Sequence, residues 1–194
     1  YSQHAEFNAG YLTEYEASMI TTDARNQQLA AGYPVGRRFK SAQVGRVCDL
    51  VPTHLGHHHE ADGRWRVYVF ADAADPGESG VLKSWASWAQ EALSPELFDT
   101  KVIYQQPYTE FDMSDVPSAF KPKVGRFQLT NMENAFGILE SHDIFEECSI
   151  SRKGAVVVVR PDQYVAGVFP LDTTQELESF LCGVFPAVRS VSIT

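Results

Sequence analysis

The chain has 194 residues, 44% of them hydrophobic, and a formal net charge of −9 from 16 basic and 25 acidic side chains. This is enough for one domain with extensions and a sizeable core. The acidic balance repels phosphate backbones and argues against nucleic-acid partners; the longest purely apolar run, Ala155 to Val159, is far too short to span a membrane.

Residues 1–40 mix polar residues, scattered tyrosines and the breaker cluster Gly32-Tyr33-Pro34-Val35-Gly36. One helical stretch, Thr22 to Ala31, is expected there, on an arm without a core of its own. The chain begins at Tyr1 rather than Met and shows no secretory signal, which predicts a piece of a longer polypeptide. From Val44 to His57 the apolar residues fall in short β-compatible groups. Asp62-Gly63 is a hairpin-turn signal leading into the aromatic and β-branched strand Trp65–Phe70. After a loop over 71–80, Leu82, Trp85, Ala89 and Ala92 mark one apolar face of a helix over Val81–Leu93, which Ser94-Pro95 ends.

Val102-Ile103-Tyr104 is the next strand. Residues 111–125 read as a long loop interrupted by Pro117, Pro122 and Gly125, and Met132–Leu139 as a short helix. The four valines of Ala155–Val159 and the run Tyr164–Phe169, joined by Arg160-Pro161-Asp162, form a hairpin. Thr173 with Glu176 fits a capping box for a last helix burying Leu177, Phe180, Leu181 and Val184. The order βαβ then ββα predicts an α/β fold: a thioredoxin-like mixed sheet flanked by helices over residues 41–194, with the four named strands in one sheet.

The chemistry of that fold is missing. The junction where thioredoxins carry their redox pair reads Ala71-Asp72-Ala73-Ala74-Asp75-Pro76-Gly77-Glu78-Ser79-Gly80, acidic and without a cysteine. Cys48, Cys148 and Cys182 lie far apart and form no C-x-x-C pair. They predict buried thiols in a reducing, cytoplasmic compartment. The acidic segment with Glu133, Glu140, Asp143, Glu146 and Glu147 reads as a solvated face.

His54, His57, His58 and His59 are the one histidine cluster. On a strand, His57 and His59 would share a face, with Glu60 or Asp62 adding oxygens, a pattern open to zinc or nickel. The alternative is a polar strand end. Ser141-His142-Asp143 are adjacent, so their side chains diverge instead of forming a relay. Arg37, Arg38 and Lys40 make a small basic spot suited to ion pairs within this acidic chain. The residues Trp65, Tyr68, Phe70, Trp85 and Trp88 read as core and interface.

Four stretches carry a resemblance: Gly36-Arg37-Arg38-Phe39-Lys40-Ser41-Ala42, Ala61-Asp62-Gly63-Arg64-Trp65-Arg66-Val67-Tyr68, Phe70-Ala71-Asp72-Ala73-Ala74-Asp75-Pro76 and Val159-Arg160-Pro161-Asp162-Gln163-Tyr164-Val165-Ala166. They resemble the C-terminal domain of FAD-dependent aromatic hydroxylases of the phenol hydroxylase and 3-hydroxybenzoate 4-hydroxylase type. The resemblance implies a thioredoxin-like domain without the redox cysteine pair, which serves folding and dimerisation. It implies a homodimer, and preceding FAD and substrate domains that use NAD(P)H to hydroxylate a phenol or hydroxybenzoate. Residues 1–40 would then connect from that preceding domain. The family's glycine-rich FAD fingerprint and its second Gly-Asp motif are absent here, so no catalytic, cofactor-binding or metal residue is assigned and no cofactor is expected in this chain. The competing expectation is a free-standing thioredoxin-like binding module with a metal site at the histidines.

Overall fold

The computed structural model describes residues 12–78 and 80–185. In chain order the elements are β1 (Gln43–Arg46), β2 (Val51–His54), β3 (Trp65–Phe70), α1 (Val81–Ala92), β4 (Phe98–Pro107), β5 (Lys123–Val124), β6 (Leu129–Thr130), β7 (Ala135–Ile138), α2 (Ile144–Glu147), β8 (Ala155–Val159), β9 (Val165–Phe169) and α3 (Gln175–Val184). All six residues of β3 are buried, as expected of a strand covered on both faces.

The helix α1 carries the chain from β3 to a parallel neighbour, β4, with Trp65 opposite Phe98 and Phe70 opposite Ile103. On the other side of β3 the hairpin β8–β9 pairs antiparallel. The main sheet runs β2-β1-β7-β4-β3-β8-β9, while β5 and β6 form a separate two-stranded ribbon. The four strands expected to share a sheet do so, β4 extending well beyond Val102–Tyr104.

Strand alternation sorts the side chains into two layers. Trp65, Val67 and Val69 join Leu82, Trp85, Ala86 and Ala89 of α1 and Leu177 and Leu181 of α3. Tyr68 and Phe70 point the other way, toward Tyr33, Phe39, Ile144 and Phe145. In that second layer Tyr33 stacks on Phe39 at 4.7 Å and Phe39 on Tyr68 at 4.5 Å. Full burial of each such side chain is worth about 1.5–3 kcal/mol.

Several local expectations are corrected. Met132–Leu139 is not a helix. Its centre is β7, wedged between β1 and β4, with Phe136 in one layer and Ala135 in the other. The position needs close approach: Gly137 faces Gly45 across the strands, and a Cβ on Gly137 would lie 2.6 Å from backbone atoms of Gln106 and Tyr108. Thr22–Ala31 holds only a 3-10 turn, Gln27–Leu29. There the Gln27 side chain competes for the backbone, donating to the carbonyls of Ala30 and Tyr33 and accepting from the Val35 amide.

Asp62-Gly63 does make a turn, with Gly63 at φ +78. It joins no hairpin, because β2 pairs with β1 and β3 with β4 and β8. The cap of α3 is Thr174, whose hydroxyl donates to Glu178 and bonds no backbone amide, so no Thr173–Glu176 box forms. Glu176 instead accepts from Asn26 at 2.7 Å.

That contact belongs to the arm, which lies along β9, the edge strand of the sheet. The Thr22, Gly36 and Phe39 amides donate to the carbonyls of Ala166, Val165 and Gln163 at 2.7, 2.9 and 2.8 Å. The arm thus occupies the start of this edge, where an open strand would otherwise pair with other chains. The turn Arg160–Tyr164 clamps the arm: Arg160 donates to Thr21 Oγ1 at 3.1 Å, pairs with Asp162, and its guanidinium lies 4.6 Å from the Tyr15 ring. Tyr15 meets Tyr164 edge-on at 4.7 Å.

Replacing Arg160 with alanine is expected to loosen the arm and spare the sheet. Hydrogen bonds to a charged group are worth about 1.5–3 kcal/mol. Amide exchange at Thr22, Gly36 and Phe39 should therefore quicken by about ten- to a hundredfold, while β3 amides stay unchanged. Uniform quickening across both would show that Arg160 supports the whole fold instead.

Candidate subunit interface

The histidines do not form the expected strand face. Leu55–His58 is a 3-10 turn after β2, and His59 caps it. The His54 and His57 rings lie 5.1 Å apart, and His58 meets Phe136 edge-on. His59 turns inward, with both ring nitrogens buried and without a hydrogen-bond partner among the described residues. Among those residues no group of three or more His, Cys, Asp or Glu is placed to hold a metal ion. Asp62 is occupied: it accepts from Arg64 and Arg66 at 2.7 and 2.8 Å.

Beneath this turn lies a buried charge network. The Arg66 side chain is fully buried; its Nε pairs with Asp99 at 3.1 Å, and its other nitrogens donate to the carbonyls of Arg64 and Glu60. Lys101 Nζ sits 2.7 Å from Asp99 Oδ2 and donates to Asn134 Oδ1 at 3.1 Å. Asn134 in turn donates to Asp99 Oδ1 at 3.2 Å. Burial pulls the Lys101 pKa down against the attraction of Asp99. Nothing here is solvent-accessible enough to meet a substrate; the network holds the loop 55–62 on the sheet.

The other sequence candidates resolve as structural. Ser141 Oγ lies 3.0 Å from His142 Nδ1, but Asp143 accepts from the Phe145 amide at the start of α2 and pairs with Arg152, so no relay forms. Arg37 pairs with Glu14 at 2.6 Å and Arg38 donates to Gln163 at 2.8 Å. Cys148 is buried against the Tyr33 hydroxyl, whereas Cys48 is exposed, contrary to the expectation of buried thiols. Burial raises the pKa of the Cys148 thiol; partial desolvation and then the Asp49 charge raise that of Cys48.

What the sequence reading missed is the ribbon β5–β6. The sequence reads as loop over 111–125 and carries no assignment over 126–131. Instead Lys123 pairs with Thr130 and Val124 with Leu129, around a turn with Gly125 at φ +67 and Gln128 at φ +51. The ribbon stands outside the main sheet, and its apolar side chains face outward. Phe127 is 81% exposed and Leu129 66%, with Val124 and Met132 beside them also exposed. The signal is only Val124 and Leu129 on either side of Gly125, too short to separate from loop. Contiguous exposed apolar side chains mark contact surfaces, whereas single ones are ordinary, and here four lie within residues 124–132.

Comparison with solved structures agrees on the fold alone. A disulfide-isomerase-type protein of Bacteroides thetaiotaomicron superposes with a TM-score of 0.53 at 11% identity, covering 81% of this chain and 92% of that one. A thiol-disulfide-isomerase-type domain of Cytophaga hutchinsonii gives 0.51 at 10%, covering 80% and 95%. The fold is thioredoxin-like, and Cys48, Cys148 and Cys182 are all free. Among curated proteins, the 3-hydroxybenzoate 4-monooxygenase of Comamonas testosteroni is 41% identical over 93% of this chain and 31% of its own length. The FAD-dependent monooxygenase terD of Aspergillus terreus is 28% identical over 90% of this chain and 32% of its own length. The chain thus spans about a third of the length of the curated relatives it matches. The family model described as "Phenol hydroxylase, C-terminal dimerisation domain" matches residues 13–188, and with the thioredoxin-like sheet and the arm clamped by Arg160–Tyr164 this establishes that the chain belongs to that family.

Proposed function

We propose that this domain joins two copies of an aromatic monooxygenase, and that the β5–β6 ribbon is the main contact. The observation that carries this reading is the outward-facing Phe127 and Leu129 on a chain of the dimerisation-domain family. A second copy is the occupant because two-fold contacts between identical chains are the commonest assembly. The whole polypeptide would carry preceding FAD and substrate domains, use NAD(P)H and hydroxylate a phenol or hydroxybenzoate in the cytoplasm. The name of the Comamonas testosteroni relative supports the hydroxybenzoate substrate, and that of the Aspergillus terreus relative supports FAD. In this reading residues 1–40 are the connection from the preceding domain and 41–194 the thioredoxin-like unit. The exposed Leu12 and Met19 on the arm would then meet that domain, leaving the ribbon for the partner.

Light scattering over a concentration series tests the assembly. The whole polypeptide should be a dimer at micromolar concentration, and this chain alone should bind no flavin. A whole polypeptide that stays monomeric, or a yellow purified chain with a flavin spectrum, would overturn the reading.

A further inference from the structure

Thioredoxin-type folds keep their reactive groups in the loop between a central strand and the following helix. Here the loop 71–80 between β3 and α1, together with loop 114–118, encloses a cavity of about 380 Å³, within the size range of small-ligand sites. Four carboxylates, Asp72, Asp75, Glu78 and Asp115, line it against one ammonium, Lys83.

Carboxylates beside a helix N-terminus have an ordinary use, since they complement the helix dipole. Asp72 serves in this way, accepting from the Val81 amide at 3.3 Å. Asp115 comes from the loop after β4: its Oδ2 accepts from the Asp112 amide at 3.2 Å, and its Oδ1 lies toward Gly77, where a Cβ would meet it at 3.3 Å. The second observation is Tyr104. It is 1% exposed and lines the same cavity, and its hydroxyl has no hydrogen-bond partner among the described residues. Burial, and then the charges of Asp115 and Asp72, push its pKa well up, so the hydroxyl keeps its proton. Native structures rarely leave such a group unsatisfied.

The acceptors come from separate elements, and among the described residues no cluster of three or more is placed to hold a metal ion. Separated acceptors suit a planar group with several N–H donors. We propose that this cavity binds a guanidinium group, with Asp115 and Asp72 as its carboxylate acceptors and the Tyr104 oxygen as a further contact. The site of disulfide chemistry in the fold is then reused for cation recognition. The inference is independent of the dimerisation reading.

The test is titration of the protein with agmatine and with acetyl-Gly-Arg-Gly-amide, followed by amide NMR, with the citrulline peptide as a neutral control. Saturable shifts are expected at Gly77, Gly80, Tyr104 and Asp115. Binding should weaken about tenfold or more for the citrulline peptide and in Asp115→Asn, because a charge-assisted contact is lost. Tyr104→Phe, which keeps the ring in the core, should weaken it severalfold, and Lys83→Gln should tighten it by removing the competing ammonium. Tighter agmatine would assign the site to a free guanidino compound; a tighter arginine peptide would assign it to a side chain of a protein partner. Absence of saturable shifts, or equal binding of the citrulline peptide, would overturn the proposal.

Discussion

Serine at both Phe127 and Leu129 is expected to turn the dimer into a monomer without disturbing the fold. Each apolar side chain covered at a contact contributes about 1.5–3 kcal/mol. A two-fold contact uses every residue twice. The two substitutions together should therefore raise the dissociation constant by at least about a thousandfold. Both side chains are exposed in the single chain, so its urea midpoint below the dimerisation range should stay the same. Sedimentation of the variant over a concentration series reads the effect. A dimer of unchanged affinity would remove the ribbon from the interface and direct attention to Leu12, Met19 and Ile20 on the arm.

Replacing Asp99 with alanine should have the largest effect on stability. Asp99 is the shared partner of Arg66 and Lys101, both almost wholly buried. Its loss leaves Lys101 in the interior without a counter-charge and Arg66 with Asp62 alone, which costs about 3–5 kcal/mol. Against a usual total of about 5–15 kcal/mol, that is a large share. The urea midpoint should drop sharply with little change in slope, and Asp99→Ala combined with Lys101→Met should recover part of the loss. A midpoint close to that of the parent chain would show that water reaches the network.

The same region makes the fold sensitive to acid. Burial, with the charges of Lys101 and Arg46, lowers the His58 pKa, and burial with Arg66 lowers that of His59. Unfolded imidazoles take up protons below about pH 6.5, whereas these two do so only at lower pH. The unfolded chain then binds more protons, so stability present at neutral pH declines as the pH falls. Asp62 adds to the decline below about pH 4. Burial raises its pKa, but the hydrogen bonds and charges of Arg66 and Arg64 outweigh that and hold it well below the ordinary range. In the same urea titrations, His59→Gln should flatten the drop between about pH 7 and 5.

Much of the architecture is readable from side-chain pattern because it rests on local burial. Trp65–Phe70 and Ala155–Val159 are runs of β-branched and aromatic residues that only a doubly covered strand accommodates. Leu82, Trp85 and Ala89 recur at helical spacing, and Val81–Ala92 is a helix for that reason. The missing redox pair is equally plain, since a thiol mechanism needs cysteines and loop 71–80 has none. The stretch Arg160–Tyr164 announces the family, although its work of clamping the arm does not show in the residues themselves.

Tertiary structure alone decided the rest. Asn134-Ala135-Phe136-Gly137 carries no usable period, and it is a strand because the gap between β1 and β4 satisfies its backbone groups. Asp62-Gly63 makes its turn, but which strands pair depends on contacts distant in sequence. The histidines lose their common face because loop 55–62 closes over a network whose members, Arg66, Asp99, Lys101 and Asn134, come from three separate segments. Tyr104 reads as an ordinary strand aromatic, and only the fold brings it to a cavity shared with Asp72 and Asp115. Pattern in a chain reports what each segment can bury; the meeting of charges and hydroxyls from distant segments is fixed by the sheet order that brings them within reach.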